Sequence, residues 1–384
     1  MDTAPEHDEN DVLATLRRYP DIEAPNLHAV DASDRLILDE AAPALAEGTG
    51  EGVVVIGDHH GALTLGAIAR HRLPGVRTHQ DRLLGERALH ANAERLGIDG
   101  CTSHGLTPEL VTGARVVLLQ LPRSLDALDE IAGLIAENAD PEVVVYAGGR
   151  VKHMTPAMND ILGRYFATVQ AHLARQKSRV LMASGPNAER TKPRWPERRE
   201  HPDLGITVCA HGGAFAGTGI DIGTRVLLQH LDAIPTDVTS AVDLGCGTGV
   251  LAVLLARANE NLTVTATDES AAAVASATAT VAANGLENRV VVVRADGAET
   301  VPDASTDVVL LNPPFHVGAA VHDGVARTLF AEAARILTPG GELWAVWNSH
   351  LRYRPTLERV VGPTRQVSRD PKFTVTVSTR TAQP

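Results

Sequence analysis

The chain has 384 residues, with 47 Asp and Glu against 35 Lys and Arg, for a formal net charge of −12. It is long enough for two domains of ordinary size, and its charge excludes long-range attraction to nucleic acid, so such a partner would have to be met by a local patch. Cys101, Cys209 and Cys246 offer neither a disulfide framework nor metal-ligand spacing, and no run approaches the ~18 apolar residues of a membrane span. With a polar, acidic start in place of a leader, this composition predicts a cytoplasmic protein without metal.

Residues 1–10 are expected to be disordered. DVLATLRRYP and DRLILDEAAPALAEG predict short helices, and VVVIGDHHGALTLGAIA (53–69) predicts strand, turn and helix. ARVVLLQLPR (114–123) and EVVVYAGGR (142–150) are further strands. Residues 171–199 then hold eight Lys and Arg against Glu189 and Glu197. As a charge run this is a solvated linker over 184–205. Lys152 and His153, together with Arg190, Lys192 and Arg194, would alternatively form a phosphate-binding face.

SAVDLGCGTGV (240–250) is an apolar strand running into Gly245, Gly247 and Gly249 and then into a helical pattern. The first glycine allows a sharp turn, the second a close backbone approach to a ligand, and the third close packing of helix on strand. LTVTATD ends in Asp268, NRVVVVRAD in Asp296, and TDVVLLNPPFH in Asn312, Pro313, Pro314, Phe315 and His316. Polar groups thus cluster at the C-terminal ends of successive strands, where open parallel sheets bind ligands. A carboxylate at Asp268 suits the two hydroxyls of a ribose.

A shift of 188 residues lays Gly57 on Gly245, Gly61 on Gly249 and Val76 on Val264, and a shift of 192 lays VVLL of 116–119 on 308–311. The chain is read as an internal duplication, with copies over 11–183 and 206–384. The first copy has Val55, His59 and Gln80 where the second has Asp243, Gly247 and Asp268, and Gln120, Leu121, Pro122 and Arg123 in place of NPPF. It keeps scaffold and loses ligand residues. His59 and His60 as metal ligands are the weaker reading, because no acid or cysteine is suitably spaced.

The glycine turn, Asp268, Asp296 and NPPF, in that order, resemble class I methyltransferases that use S-adenosylmethionine to methylate an exocyclic or amide nitrogen. A nicotinamide enzyme would share the first two features but has no use for NPPF. The segments FAGTGIDIGTR, WNSHLRYRPTLERVVG, DPKFTVTVSTR and GGRVKHM are similar to ribosomal RNA guanine-N2 methyltransferases of the RlmG and RsmC type, closer to the RlmG branch.

The resemblance implies an α/β fold of two tandem Rossmann-like domains, the first degenerate and the second catalytic with an antiparallel C-terminal hairpin. It implies that Asp243 and the backbone from Gly245 through Cys246 and Gly247 to Gly249 face the methionine end of the cofactor, Asp268 its ribose and Asp296 its adenine. Asn312 would border both cofactor and substrate. Asn312 and Pro313 would hold the reacting amino group, Pro314 would stiffen the turn, Phe315 would stack on the base and His316 would orient it. Thr224 and Arg225 would close over the cofactor. The implied partner is ribosomal RNA of the large subunit, naked or assembled. Adenine N6, protein glutamine and small-molecule nitrogens stay open as acceptors, as does a non-catalytic RNA-binding or assembly factor.

Overall fold

The computed structural model describes residues 12–187, 194–313 and 319–381, the side chains of 319–323 excepted. The expectations for residues 1–10, Arg190, Lys192, Pro314, Phe315 and His316 therefore fall outside the described residues. The chain divides into two compact units, Met1–Arg194 and Trp195–Pro384.

The first unit holds β1 (Val53–Ile56), β2 (Val76–His79), β3 (Cys101–Ser103), β4 (Val116–Gln120), β5 (Val144–Arg150), β6 (Phe166–Ala171) and β7 (Ser178–Pro186), in the order β3-β2-β1-β4-β5-β7-β6. The second adds a two-stranded ladder, β8 (Glu197–His201) and β9 (Ile206–Ala210), ahead of its own sheet. That sheet is built from β10 (Ser240–Leu244), β11 (Thr263–Asp268), β12 (Val290–Arg294), β13 (Thr306–Leu311), β14 (Leu337–Asn348), β15 (Thr364–Arg369) and β16 (Phe373–Thr379), in the order β12-β11-β10-β13-β14-β16-β15. Both sheets are parallel up to their fifth strand and close with an antiparallel pair.

The registers carry the duplication further than the order does. Val54 pairs with Arg77 and Val117 in the first unit, and Val242 pairs with Thr265 and Val309 in the second. These partners are separated by the shifts of 188 and 192 read from the sequence.

Central strands such as VVVI and SAVDL are buried on both faces, as β-branched runs in a helix-covered parallel sheet must be. Side-chain alternation divides each core in two. Ala241, Val308 and Leu310 join one cluster of the second unit, and Val242, Val309 and Leu311 join the other. Val54 with Val117 and Val55 with Leu118 do the same in the first.

The segment read as linker is partly strand. β7 extends to Pro186, and Glu197–His201 pairs with Ile206–Ala210 in an antiparallel ladder. The sequence ERREH shows no apolar alternation, because its middle three residues face solvent and only His201 is buried.

Candidate active site

Each of four neighbouring parallel strands delivers a polar side chain at its carboxyl end. Asp243 is the fourth residue of β10, Asp268 the last of β11, Asn312 directly follows β13, and Asp296 lies two residues beyond β12. The loop between β10 and helix Val250–Ala258 turns through three left-handed glycines, at φ +74°, +53° and +77°. A methyl group added at Gly245 or Gly247 would meet nothing within 4 Å, so these two leave open space. One added at Gly249 would meet Ala277 Cβ at 3.0 Å. The third glycine thus packs helix against helix Ala271–Ala283, not against the strand as expected.

Cys246 is mostly buried in the core, where burial raises its thiol pKa well above the usual value, and its backbone is engaged within the fold. That backbone amide, like the amide of Gly245, donates to the Thr267 carbonyl.

Asp243 is 1% exposed. Its Oδ2 accepts the Ala252 amide at 3.0 Å, while its Oδ1 is buried without a partner. Burial, reinforced by the charge of Asp268, pushes its pKa up to about 7. Ala252 is in the first turn of helix Val250–Ala258, whose cap residue Gly249 has no side chain to satisfy such an amide. Asp243 therefore caps the helix as well as facing the loop. Asp268 accepts the Gly247 amide at 3.0 Å and the Ser270 amide at 2.9 Å, which ties the glycine turn to the next helix. Asp296 is exposed.

Asn312 Nδ2 donates to Asp221 Oδ2 and to Thr224 Oγ1, both at 3.0 Å. Its Oδ1 is a buried acceptor without a partner, a costly arrangement that native proteins seldom leave without a use. Pro313 follows, buried. Thr224 thus holds the asparagine, and Arg225 is paired with Asp203 at 3.0 Å. Asp221 was not anticipated. Its only sequence signal was its place as a helix cap.

The corresponding region of the first unit is filled from within. His60 Nε2 contacts Asp21 Oδ2 at 3.1 Å, and Arg18 and Arg82 reach the same oxygen at 2.7 and 3.4 Å. Burial would raise the Asp21 pKa, but His60 and the two arginines hold its carboxyl well below the usual range. Among the described residues no cluster of His, Cys, Asp and Glu could hold a metal, and no helix is long and apolar enough to cross a membrane.

Of the residues expected to meet phosphate, Lys152 is exposed in a short turn after β5. His153 beside it has a lowered pKa, by desolvation and then by Arg123, Lys152 and Arg150, so these cations share one locality. Arg194 stands beside carboxylates of the first unit. It lies 4.0 Å from Asp126 and 3.6 Å from Asp129, which compensate its charge.

A model of the methyltransferase small domain matches residues 205–377, and one of the RLMG N-terminal domain matches residues 5–187. The ribosomal RNA large subunit methyltransferase G of Streptomyces avermitilis is 36% identical over 368 residues, covering 94% of this chain and 95% of that one. Its counterpart in Pseudomonas aeruginosa is 37% identical over 367 residues, covering 94% and 96%. The chain belongs to the ribosomal RNA large subunit methyltransferase G family. The family fold extends to the 16S rRNA N2 methyltransferase RsmC of T. thermophilus, solved in complex with AdoMet and guanosine. That structure matches with a TM-score of 0.71 at 22% identity over 94% of this chain and 97% of that one.

Proposed function

We propose that the chain transfers a methyl group from S-adenosylmethionine to the exocyclic N2 amino group of a guanine in ribosomal RNA of the large subunit, the 23S RNA. The observation that carries the reading is the unpaired, buried Oδ1 of Asn312 at the end of β13. Family membership across 94% of the chain supports it.

The second unit fits the cofactor on its own residues. The open space at Gly245 and Gly247, the unpaired Asp243 Oδ1, and the carboxylates of Asp268 and Asp296 would hold it. When bound, the cofactor supplies an electrophilic methyl group.

The chain's own residues handle the acceptor. A guanine amino group is a poor nucleophile because its lone pair is delocalised into the ring. Asn312 Oδ1 and the Pro313 carbonyl accept its two N–H bonds and draw the nitrogen towards tetrahedral geometry. They act most strongly as positive charge develops on it. The methylated nitrogen is acidic and loses its proton to solvent without a strong base. Phe315 stacks on the base, worth ~1 to 3 kcal/mol, and His316 orients it. The base reaches these groups unpaired or flipped from its helix.

Lys152, with Arg123, Arg150 and His153 beside it, meets the RNA backbone from the first unit, and the cations Arg190 and Lys192 would add phosphate contacts of their own. A local patch suffices because fields are screened beyond a Debye length, ~8 Å at physiological salt.

The test is transfer of labelled methyl groups to naked 23S RNA, naked 16S RNA and intact subunits, followed by nucleoside digestion. N2-methylguanine from 23S RNA is expected. Asn312→Ala should slow turnover by ~10²-fold or more while cofactor affinity is kept. Label appearing on adenine or on protein would refute the assignment.

A further inference from the structure

Methyl transfer to a guanine amino group requires that Asn312 present its oxygen, not its nitrogen, to the substrate. A primary amide has two nearly isosteric ends, and only its surroundings decide which end faces where. The surroundings here are one-sided. Asp221 Oδ2, 3.0 Å from Asn312 Nδ2, can only accept a hydrogen bond when ionised, and Thr224 Oγ1, also at 3.0 Å, takes the second N–H. Reversing the amide would set its carbonyl oxygen against a carboxylate and strand both N–H bonds in a buried place. The observed orientation is therefore locked, and Oδ1 is left as the unpaired acceptor.

Asp221 is itself held still. The same Oδ2 accepts the amides of Gly223 at 2.8 Å and Thr224 at 3.3 Å as the cap of helix Ile222–Leu228. A side chain at Gly223 would crowd this arrangement, because an added methyl would lie 3.0 Å from Asp221 Oδ2 and 3.1 Å from Asn312 Oδ1. Three residues of one helix start, Asp221, Gly223 and Thr224, are thus arranged around one amide.

The first unit repeats the frame with other residues. Gln120, in the place of Asn312, donates through Nε2 to Ser33 Oγ at 3.0 Å and Asp34 Oδ1 at 2.8 Å. These belong to the first turn of helix Ala32–Glu47, and Gln120 Oε1 is left buried without a partner. A strand-end amide tied by its nitrogen to the start of the neighbouring helix is thus common to both copies.

We propose that Asp221, assisted by Thr224, is a positioning residue for methyl transfer: it fixes the Asn312 amide with Oδ1 towards the substrate and makes that oxygen a stronger acceptor. A carboxylate accepting from Nδ2 shifts electron density along the amide onto Oδ1, because hydrogen bonds in series polarise one another. The negative charge behind the amide also favours the positive charge that develops on the reacting nitrogen. Asp221 touches neither cofactor nor RNA in this scheme and acts through Asn312 alone.

This inference rests on the proposed function, and the experiment separates the two. Asp221→Asn in the full chain keeps size and helix-capping ability but presents the Asn312 nitrogen with an end that can donate or accept. Using naked 23S RNA and S-adenosylmethionine, kcat should fall roughly 10- to 100-fold, below the loss from removing a direct transition-state contact. KM for RNA, cofactor affinity by calorimetry and thermal midpoint should stay at the wild-type level. Thr224→Val should lower kcat in the same manner and Thr224→Ser should restore it. In an Asn312→Ala background, Asp221→Asn should add no further loss, since a residue acting through another has nothing left to act on. A wild-type kcat in Asp221→Asn would overturn the proposal, and so would a parallel loss of cofactor affinity and thermal stability. A wild-type enzyme that binds cofactor but labels no RNA would overturn the proposed function, and this inference with it.

Discussion

Asp243→Asn should make the second unit more stable and a worse cofactor binder. The carboxyl is 1% exposed and makes a single hydrogen bond, from the Ala252 amide to Oδ2. Its pKa is about 7 when folded against 3.8 for the free group, because burial and then Asp268 disfavour the charged form. Folding therefore favours the neutral acid. The penalty is absent below the unfolded value, where both states are protonated, and grows as pH rises until it is complete above the folded value. Stability from this group is thus lost across about pH 4 to 7. The gap between the free and folded values corresponds to at most about 4 kcal/mol, of which roughly 60% accrues between pH 5 and pH 8. Asparagine has no charge to bury, and its carbonyl can still cap Ala252. All three tryptophans, Trp195, Trp344 and Trp347, lie in the second unit, so urea unfolding followed by tryptophan fluorescence reports this unit alone. The advantage of Asp243→Asn over wild type should grow by ~2 kcal/mol from pH 5 to pH 8. Calorimetry should meanwhile show ~10-fold or greater loss of cofactor affinity, the value of a hydrogen bond to a charged group. A stability difference that does not change with pH would refute the reasoning, since a carboxylate ionised in the fold without strain would give that result.

Asp268→Ala should abolish cofactor binding by calorimetry, and wild type should bind one cofactor per chain; a stoichiometry of two would assign a working site to the first unit. Gly249→Ala should lower the stability of the second unit by ~1 to 3 kcal/mol through crowding of Ala277, measured by urea unfolding. Gly247→Ala, which meets open space, should cost only the ~1 kcal/mol or more of a strained backbone. Charge reversal of Arg123 and Lys152 to Glu should weaken RNA binding in filter assays and reduce the slope of log K against log salt by ~0.7 to 0.9 per lost phosphate contact. Unchanged binding would place the RNA elsewhere.

The fold was legible in the sequence because a parallel sheet buries both faces of its strands, so VVVI, VVLL and SAVDL stand out as apolar runs with polar punctuation. Repetition at shifts of 188 and then 192 residues matched one sheet's register to the other's. β8 escaped because an exposed strand of ERREH carries no period to read; only its pairing with β9 reveals it. The strand-end carboxylates and the NPPF amide were legible as residue types in order. Their duties were not. Nothing in the sequence brings Asp221 to Asn312 across 91 residues, turns Arg194 onto Asp126 and Asp129, or buries Cys246.

The same limit explains what became of the first copy. Asp243 stood out as a ligand residue that the first copy had exchanged for Val55, yet the Ala252 amide of helix Val250–Ala258 needs a side-chain acceptor whether or not a cofactor binds. The first copy meets that need differently. Asp58, in the place of Cys246, accepts the amides of Gly61 at 3.1 Å and Thr64 at 2.7 Å, Thr64 being the counterpart of Ala252. The copies thus differ in where the carboxylate sits, within the strand at Asp243 or in the loop at Asp58, three residues beyond the equivalent strand position, which Val55 fills in the core. A side chain that serves both ligand and helix can be dispensed with at its own position only where another acceptor takes the helix amide, as Asp58 does here. Asp58→Ala should accordingly destabilise the first unit by ~1 to 3 kcal/mol through two stranded buried amides, while cofactor affinity in the second unit stays unchanged. A wild-type melting profile for that variant would mean the helix never required the acid.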